Sequence, residues 1–391
     1  MLKNIKGDKV IWIVVILLSI VSIVCVYTSV TALATRYKNG NALYYLVKHS
    51  LIIGLGFLLM FMVHKVKYTY FSRISQIAVW IAAPLLFYTL LKGISAGEAN
   101  RWIGIPGIGL TFQTSDFAKL ALIAYVARLL SAKQEVIKDF KQAFLPVIIP
   151  VGIICALILP ANFSTAALLF LTCLVLMFIG RVNLKYMLML LGGCILMVTI
   201  FGFVILKYPE SIKRGRTWKA RIENFRSGES SENYQADQAK IAIGTSGVLF
   251  GKGPGHSDQR NFLPQASSDF IFAILIEEWG VLAGAFVLFL YMVLLFRGVR
   301  IASNSPKTFG SFLAIGLTFS LVFQAMINMA VAVNLFPVTG QPLPLVSMGG
   351  TSIWFTSIAI GIILSVSRET ELESGAVKEM KNEKGDQLAA A

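Results

Sequence analysis

Residues 251–279, GKGPGHSDQRNFLPQASSDFIFAILIEEW, carry the chain from a glycine-rich polar loop into an apolar helix. This helix has Asp269 at its mouth and the adjacent pair Glu277 and Glu278 further in. An unpaired charge near the centre of a bilayer costs about 2.5–3.5 kcal/mol on insertion scales, so acidic residues in a spanning helix must face protein or trapped water. The stretch therefore predicts a membrane fold that holds a functional carboxylate.

The overall composition is that of a membrane protein. Hydrophobic residues make up 56% of the 391 residues and charged residues only 14%, whereas about a quarter of an ordinary soluble protein is charged. The net charge of +15 comes largely from Lys and Arg in alternate short loops, which indicates membrane orientation and argues against a nucleic-acid partner. Cys25, Cys155, Cys173 and Cys194 lie in apolar segments without ligand-like spacing, so they are interpreted as buried hydrophobes.

Apolar segments recur along the whole chain. Because a spanning helix needs about 20 apolar residues, with a usual range of about 17–25, the pattern predicts an all-α polytopic membrane protein with about ten transmembrane helices. The segments are residues 10–30, 47–63, 75–91, 114–130, 145–159, 164–180, 186–206, 270–296, 310–333 and 351–367.

Loop charge predicts the orientation of these helices. Lys and Arg are concentrated in the short loops on the side of the N-terminus, which places both termini in the cytoplasm. The long segment 207–268, between helices 7 and 8, is then a large extracytoplasmic loop within a membrane domain that spans residues 1–368. Residues 369–391 are polar and mixed in charge, and we expect them to form a disordered cytoplasmic tail.

Two stretches on the predicted outer side indicate a polar cavity. Residues 336–352, FPVTGQPLPLVSMGGTS, are uncharged and contain three prolines, so they cannot be regular helix. Irregular backbone at membrane depth survives only where it is buried in protein or lines a wet cavity, and a cavity wall is predicted. Asp116 and Lys119 are three residues apart on one helix face, where an ion pair would let both enter the membrane region.

The long loop is basic and contains closely spaced glycines. Arg216 and Arg221 belong to its cation cluster, and Arg in particular forks onto phosphate oxygens. Gly251, Gly253 and Gly255 do not form a dinucleotide fingerprint, because no βαβ unit surrounds them, and they predict a tight turn.

Structural roles compete with these functional interpretations. Ser267 or Ser268 would cap a helix whose positive end favours Asp269. Asp116 and Lys119 would be a structural intrahelical pair, and the basic loop would touch anionic lipid without specificity.

Four ordered motifs resemble the SEDS family, which includes FtsW, RodA and SpoVE. They lie in residues 101–119, 234–244, 263–278 and 337–350 and resemble the family patterns RW…SEFxKL, YQ..QS.IAIGSGG, LPExHTDFIFAxxxEE and P.TG.PLPFISYGG. The spacing in residues 255–260 is most similar to that of the FtsW branch. The resemblance covers nearly the whole chain apart from the predicted tail.

The resemblance implies an enzyme, a peptidoglycan glycosyltransferase that polymerises lipid II into glycan strands, in septal synthesis during cell division. Asp269 matches the family's essential carboxylate, and a carboxylate can act as general base by taking the proton of the attacking sugar hydroxyl. Cations would stabilise the diphosphate leaving group. The residues expected to bind substrate are Arg101, Trp102, Lys119, Arg216, Arg221, Gln235, Gln238, Lys240 and Ser347.

The same resemblance implies the cellular setting and the partners. We expect a multi-pass protein of the bacterial cytoplasmic (inner) membrane at the division septum, working with a class B penicillin-binding transpeptidase and other divisome proteins. A divalent cation such as Mg²⁺ bridging the diphosphate would suit the chemistry, although the sequence offers no ligand cluster for one.

Two other functions would produce a similar sequence. A lipid II flippase would also be a polytopic bundle with intramembrane carboxylates and outer cations. A non-catalytic divisome scaffold would recruit the transpeptidase without chemistry of its own. Synthesis of glycan chains by the wild type and its loss on substitution of Asp269 would separate these functions from an enzyme.

Overall fold

Helices account for most of the chain, as the apolar segments predict. The described residues form twelve α-helices and one three-stranded antiparallel sheet. The computed structural model describes all residues except 1–5, 31–40, 97–98, 106–109, 212–218, 220–233, 248, 264 and 390–391.

Every predicted apolar segment falls on a helix, and one further helix, α8, lies in the long loop. In chain order the helices are α1 Lys9–Ser29, α2 Ala42–Lys65, α3 Tyr68–Lys92, α4 Thr114–Ala132, α5 Leu145–Ile158, α6 Phe163–Ile179, α7 Leu184–Lys207, α8 Tyr234–Gly244, α9 Ile271–Trp279, α10 Val281–Asn304, α11 Thr308–Ala332 and α12 Thr351–Ala389.

Eight of the described helices have the length and apolar composition needed to cross a membrane: α1, α2, α3, α5, α7, α10, α11 and α12. Helix α5 reaches this length with the π-helical turn Phe140–Phe144 that precedes it. Helix α6 is apolar but has only 17 residues. The predicted all-α polytopic membrane fold is confirmed.

Side-chain caps determine where several helices begin. Asp8 accepts hydrogen bonds from two backbone N–H groups of the first turn of α1, and Asn41, Asn162 and Asn183 cap α2, α6 and α7 in the same way. These residue types are preferred because their side-chain oxygens satisfy N–H groups that have no partner within the helix. Asp8 also forms an ion pair with Arg297, so the start of α1 is tied to α10.

The apolar segment predicted over residues 270–296 is two helices. Helix α9 ends at Trp279, and Gly280 follows with φ +85°, a value that glycine adopts without steric cost. A β-carbon at Gly280 would collide with the carbonyl oxygen of Leu249. The chain turns here, so Glu277 lies beside the long loop and not deep in a continuous spanning helix.

A small sheet supplements the predicted all-α fold. Its strands are β1 Ile94–Ala96, β2 Ala99–Ile105 and β3 Leu110–Gln113, in the order β1-β2-β3. Trp102 of β2 pairs with Gln113 of β3. Such short strands do not stand out in a search for apolar segments of about 20 residues.

Helix α12 continues through the segment predicted to be a disordered tail. It runs from Thr351 to Ala389 without a break. Residues 369–389 contain five Glu and three Lys, which lose little conformational freedom in a helix. The charged composition predicts disorder. A helix that is already formed can nevertheless be extended, because each added residue contributes one further backbone hydrogen bond.

Helix α11 is central in the bundle and α7 is peripheral. Helix α11 packs against α4, α6, α10 and α12, and 67% of its most apolar stretch is buried. Only 6% of the corresponding stretch of α7 is buried, and α7 makes sparse contacts with α6. The side of α6 that faces α7 is therefore only loosely packed.

Candidate active site

Asp269 lies on a tight turn immediately before α9. The turn closes on the carbonyl oxygen of Gln265, which accepts hydrogen bonds from the N–H of Ser268 at 3.0 Å and of Asp269 at 3.1 Å. The Ser268 hydroxyl donates to Oε1 of Gln265 at 2.7 Å and reinforces the turn. The half-buried Asp269 is thus placed by the backbone turn.

Neither Ser267 nor Ser268 caps α9, so the capping interpretation is wrong. The N-cap position of α9 is Phe270, which makes no side-chain capping bond, and the first turn contains no acidic residue. The carbonyl groups of the two serines instead accept hydrogen bonds from the segment after α11. Met348 N–H donates to Ser267 at 2.8 Å, and the Ser347 hydroxyl donates to Ser268 at 2.5 Å.

The segment between α11 and α12 is irregular and largely buried, as predicted for residues 336–352. Gln341 and Ser347 are 3% and 2% exposed. The Ser347 hydroxyl also accepts a hydrogen bond from Leu343 N–H at 2.7 Å. Ser347, predicted to bind substrate, therefore uses its hydroxyl to hold this segment against the Asp269 turn.

Asp269 and Arg101 approach each other at Gly340. A β-carbon added to Gly340 would lie 3.5 Å from Oδ2 of Asp269 and 3.9 Å from Nη1 of Arg101. Arg101, on β2, is held by a hydrogen bond of 3.1 Å from Nε to the carbonyl oxygen of Ala161. Gly340 thus lies next to a carboxylate and a guanidinium that are far apart in sequence.

An apolar cavity of about 680 Å³ lies beside Arg101, between α6, α7, α11 and the segment that follows α11. Its polar lining residues Arg101, Asn162 and Ser164 gather where α6 begins, and Thr339 lies next to Gly340. Most of the lining is apolar and includes Phe163, Leu168, Phe201, Phe323, Ile327 and Phe336. The cavity therefore offers a polar end near Asp269 and an apolar remainder.

Asp116 and Lys119 form the predicted ion pair, with Lys119 Nζ 2.8 Å from Oδ1 of Asp116. Lys119 Nζ also donates to Oε1 of Gln324 on α11 at 3.2 Å. The Lys119 side chain is 16% exposed and that of Asp116 is 4% exposed. In this structure the Lys119 charge is engaged within the bundle.

Glu277 fastens the long loop to α9. Its carboxylate has no exposed surface and accepts hydrogen bonds from Ser257 Oγ at 2.5 Å and Asp258 N–H at 3.1 Å. Lys252 Nζ lies 2.9 Å from Oε1 of Glu277 and 2.8 Å from Oδ2 of Asp258. Hydrogen bonds to Asp258 and Glu277 raise the pKa of Lys252, and Lys252 lowers the pKa of the exposed Asp258.

The glycines of the loop form the predicted tight turn against the end of α9. Gly253 and Gly255 have φ values of +100° and +76°. The N–H of Lys252 donates to the carbonyl oxygen of Glu277, and the N–H of Gly253 donates to that of Glu278, both at 2.9 Å. These bonds satisfy carbonyl groups that a helix end leaves without partners.

A membrane bundle with this carboxylate, this irregular buried segment and this polar-ended cavity matches a known family. The sequence profile of the FtsW/RodA/SpoVE family, described as cell cycle protein, matches residues 8–372. The chain belongs to this family. The resemblance drawn from the four motifs is confirmed.

Named relatives of this FtsW/RodA/SpoVE protein extend over nearly its whole length. Stage V sporulation protein E of Bacillus subtilis is 34% identical over 375 residues, which are 94% of this chain and 98% of the relative. The probable peptidoglycan glycosyltransferase FtsW of Geobacter sulfurreducens is 31% identical over 366 residues, covering 93% and 95%. The family thus has members named as cell-wall glycosyltransferases.

Solved structures of the family share the fold. A chain of a peptidoglycan synthase complex superposes with a TM-score of 0.75 at 22% identity and covers 93% of this chain and 98% of its own length. The rod shape determining protein RodA of Thermus thermophilus superposes with a TM-score of 0.66 at 21% identity, covering 94% and 99%. At this identity the likeness shows the fold alone.

The remaining residues predicted to bind substrate are scattered around this centre or fall outside the description. Gln235 and Gln238 are half-buried on α8, which packs against α9 and α11. Lys240 is exposed and pairs with Asp237 at 3.3 Å, and Trp102 is half-buried on β2. Arg216 and Arg221 lie outside the described residues.

The described residues provide no cluster of metal-binding side chains. Within the described parts of the chain, no group of three His, Cys, Asp or Glu side chains comes close enough to hold a metal ion. A divalent cation bridging the diphosphate therefore stays a prediction.

Two amides that were not predicted to belong to the site, Gln324 and Asn328, connect α11 to the Asp269 region. Both are amides in an otherwise apolar helix, four residues apart and hence on one face. Polar side chains inside spanning helices typically face partners in the bundle. The four-residue spacing of these two amides was the feature of the sequence that could have identified them as partners of another segment in the bundle.

Proposed function

We propose that this FtsW/RodA/SpoVE-family protein is a peptidoglycan glycosyltransferase that polymerises lipid II into glycan strands, with Asp269 as general base. The approach of Asp269 and Arg101 at Gly340, beside an apolar cavity, carries the proposal. Relatives at about 30% identity named probable peptidoglycan glycosyltransferase support the reaction class.

The proposed reaction is an inverting transfer. The hydroxyl oxygen of the acceptor sugar forms a bond to the anomeric carbon of the donor, while the bond from that carbon to the diphosphate oxygen breaks. Asp269 takes the hydroxyl proton as the new bond forms. The bond electrons leave with undecaprenyl diphosphate, and attack from the opposite face inverts the anomeric carbon.

Arg101 is the described cation best placed for the leaving group. It lines the cavity, and its Nη1 would lie 3.9 Å from a β-carbon added to Gly340, which would lie 3.5 Å from Oδ2 of Asp269. A guanidinium that faces developing negative charge in a site with little water stabilises the transition state. Arg216 and Arg221 are proposed to add further cations from the long loop, whereas Lys119 is engaged by Asp116 and Gln324.

The cavity suits the lipid part of the substrate. Its aromatic and aliphatic lining would bury polyprenyl carbons, which is worth about 25 cal/mol for each Å² of apolar surface removed from water. Because α7 is sparsely packed against α6, we propose that the lipid chain enters from the membrane beside α7. The sugars would then lie at the polar end near Asp269.

We further propose that both termini are cytoplasmic, that Asp269 faces the outer side, and that the protein acts at the division septum. The structural relative from a peptidoglycan synthase complex is described in connection with polymerization and crosslinking. It supports the proposal that a class B penicillin-binding transpeptidase binds this chain, with other divisome proteins in the assembly. The FtsW assignment rests on the motif spacing in residues 255–260.

The test is synthesis of glycan chains from labelled lipid II by the purified protein with its transpeptidase partner. We expect chains from the wild type and none from Asp269→Asn or Asp269→Ala. Asp139→Asn is the control, because Asp139 is an exposed helix cap and asparagine caps equally well. Transport of lipid II across vesicles without chain synthesis would favour the flippase, and transpeptidase binding without either activity would favour the scaffold.

A further inference from the structure

Asn328 of α11 connects the two segments that meet beside Asp269. Its Nδ2 donates to the backbone carbonyl oxygen of Asp269 at 2.7 Å and to that of Gln341 at 2.8 Å. The side chain is 1% exposed. Because both neighbours are carbonyl oxygens, the group between them must be a hydrogen-bond donor, and the amide N–H₂ supplies a proton to each.

A second amide supports the same junction one helical turn earlier. Gln324 donates from Nε2 to the carbonyl oxygen of Pro342 at 2.9 Å. Its Oε1 accepts the hydrogen bond from Lys119. Gln324 and Asn328 therefore fasten consecutive peptide groups of the irregular segment to one face of the well-buried helix α11.

The bond from Asn328 has a direct geometric consequence for the candidate base. It holds Asp269 against the segment that contains Gly340, whose missing β-carbon would lie 3.5 Å from Oδ2 of Asp269. Without a donor between them, the two carbonyl groups would lose the partner that they share, and two carbonyl oxygens that face each other repel. The carboxylate would then shift relative to Arg101.

We infer that Asn328 is a positioning residue, which fixes the Asp269 turn to the Gly340 segment through its two hydrogen bonds and does not itself touch substrate. The inference rests on the proposed function as far as it concerns turnover. Its structural part, the coupling of the two segments, does not depend on any activity.

The kinetic test compares variants that separate the donor from the shape. Asn328→Leu and Asn328→Asp keep the approximate size but lose the amide, whereas Asn328→Ser is smaller and keeps one hydroxyl donor. We expect the first two to lower kcat about 10-fold to 100-fold with KM for lipid II within about 2-fold, since a misplacement of about 1 Å can cost that much. Asn328→Ser should retain more activity than Asn328→Leu. A role in packing alone predicts the reverse order, and that result would overturn the inference.

The structural test is hydrogen exchange of the intact protein in detergent. Asn328→Leu should accelerate exchange in peptides covering residues 265–270 and 338–348, while the exposed Asn304→Asp at the end of α10 should leave both unchanged. Unchanged exchange in both peptides of Asn328→Leu would refute the coupling. If Asn328→Leu does not fold, Asn328→Asp replaces it with the same expectation, because it also lacks the amide donor.

The two tests distinguish failure of the inference from failure of the proposed function. The proposed function would be refuted if the wild type made no glycan, or if Asp269→Asn made as much glycan as the wild type. In that case hydrogen exchange would still test whether Asn328 couples the two segments. Only the positioning role would be refuted if the wild type were active, Asp269→Asn inactive, and Asn328→Leu as active as the wild type.

Discussion

Nζ of Lys252 lies 2.9 Å from Oε1 of Glu277, a side chain without exposed surface. The contact links the polar loop that begins at Gly251 to the end of α9. Glu277 is therefore a structural anchor, although a carboxylate in an apolar stretch suggests function when only the sequence is known. Because α9 begins just after the Asp269 turn, this anchor supports the candidate active site from its far end.

We predict that Glu277→Ala lowers the free energy of unfolding by about 2–4 kcal/mol, because the buried Ser257 hydroxyl and the Asp258 N–H would lose their acceptor and Lys252 one of its carboxylates. Thermal unfolding in detergent measures the effect. Glu135→Ala, in an exposed turn, should change stability by less than about 0.5 kcal/mol. Equal stability of the two variants would show that Glu277 is not an anchor.

Gly340→Ala should lower turnover about 10-fold or more, because its β-carbon would lie 3.5 Å from Oδ2 of Asp269 and 3.9 Å from Nη1 of Arg101, where the substrate is proposed to react. The matched control is Gly350→Ala, since Gly350 has a similar φ of +52° against +64° for Gly340 but nothing within 4 Å of an added β-carbon. Both variants lose about 1–2 kcal/mol from the left-handed backbone. Similar turnover in the two variants would argue that Gly340 matters only as a turn residue.

Filling the cavity should weaken substrate binding. Gly202 on α7 lines the cavity, and nothing lies within 4 Å of a β-carbon added there. We predict that Gly202→Leu raises KM for lipid II about 5-fold or more, because the new side chain takes the volume of several lipid carbons, each worth about 0.8 kcal/mol when buried. Gly193→Leu, exposed on the same helix and outside the cavity lining, should not change KM; a parallel rise would place the lipid elsewhere.

The Asp116 and Lys119 pair can be tested by a double-mutant cycle. Lys119→Met alone should cost about 3–5 kcal/mol in the free energy of unfolding, since it leaves the buried Asp116 carboxylate unpaired. Adding Asp116→Leu should restore much of this stability. If Lys119 acts only through the pair, turnover should recover together with stability. Stability that returns without turnover would instead assign Lys119 to the substrate.

Much of the candidate site was predictable because its residues are chemically unusual for their surroundings. Asp269 stands out as a carboxylate next to an apolar helix, and residues 336–352 stand out as irregular backbone between two such helices. The break at Gly280 was not predicted, because the residues on both sides are apolar and hydropathy continues across it. The anchoring role of Glu277 was missed for the same reason.

The sequence by itself determined the membrane fold, the positions of the helices and the family, because hydrophobic length and local motifs are properties of neighbouring residues. Only the tertiary structure showed that Asp269 and Arg101 both lie beside Gly340 and that Asn328 bonds to the Asp269 and Gln341 carbonyl groups. These contacts join residues far apart along the chain, and the spacing of Gln324 and Asn328 does not tell which carbonyl groups their amides bond to. Their geometry exists only once the helices have packed.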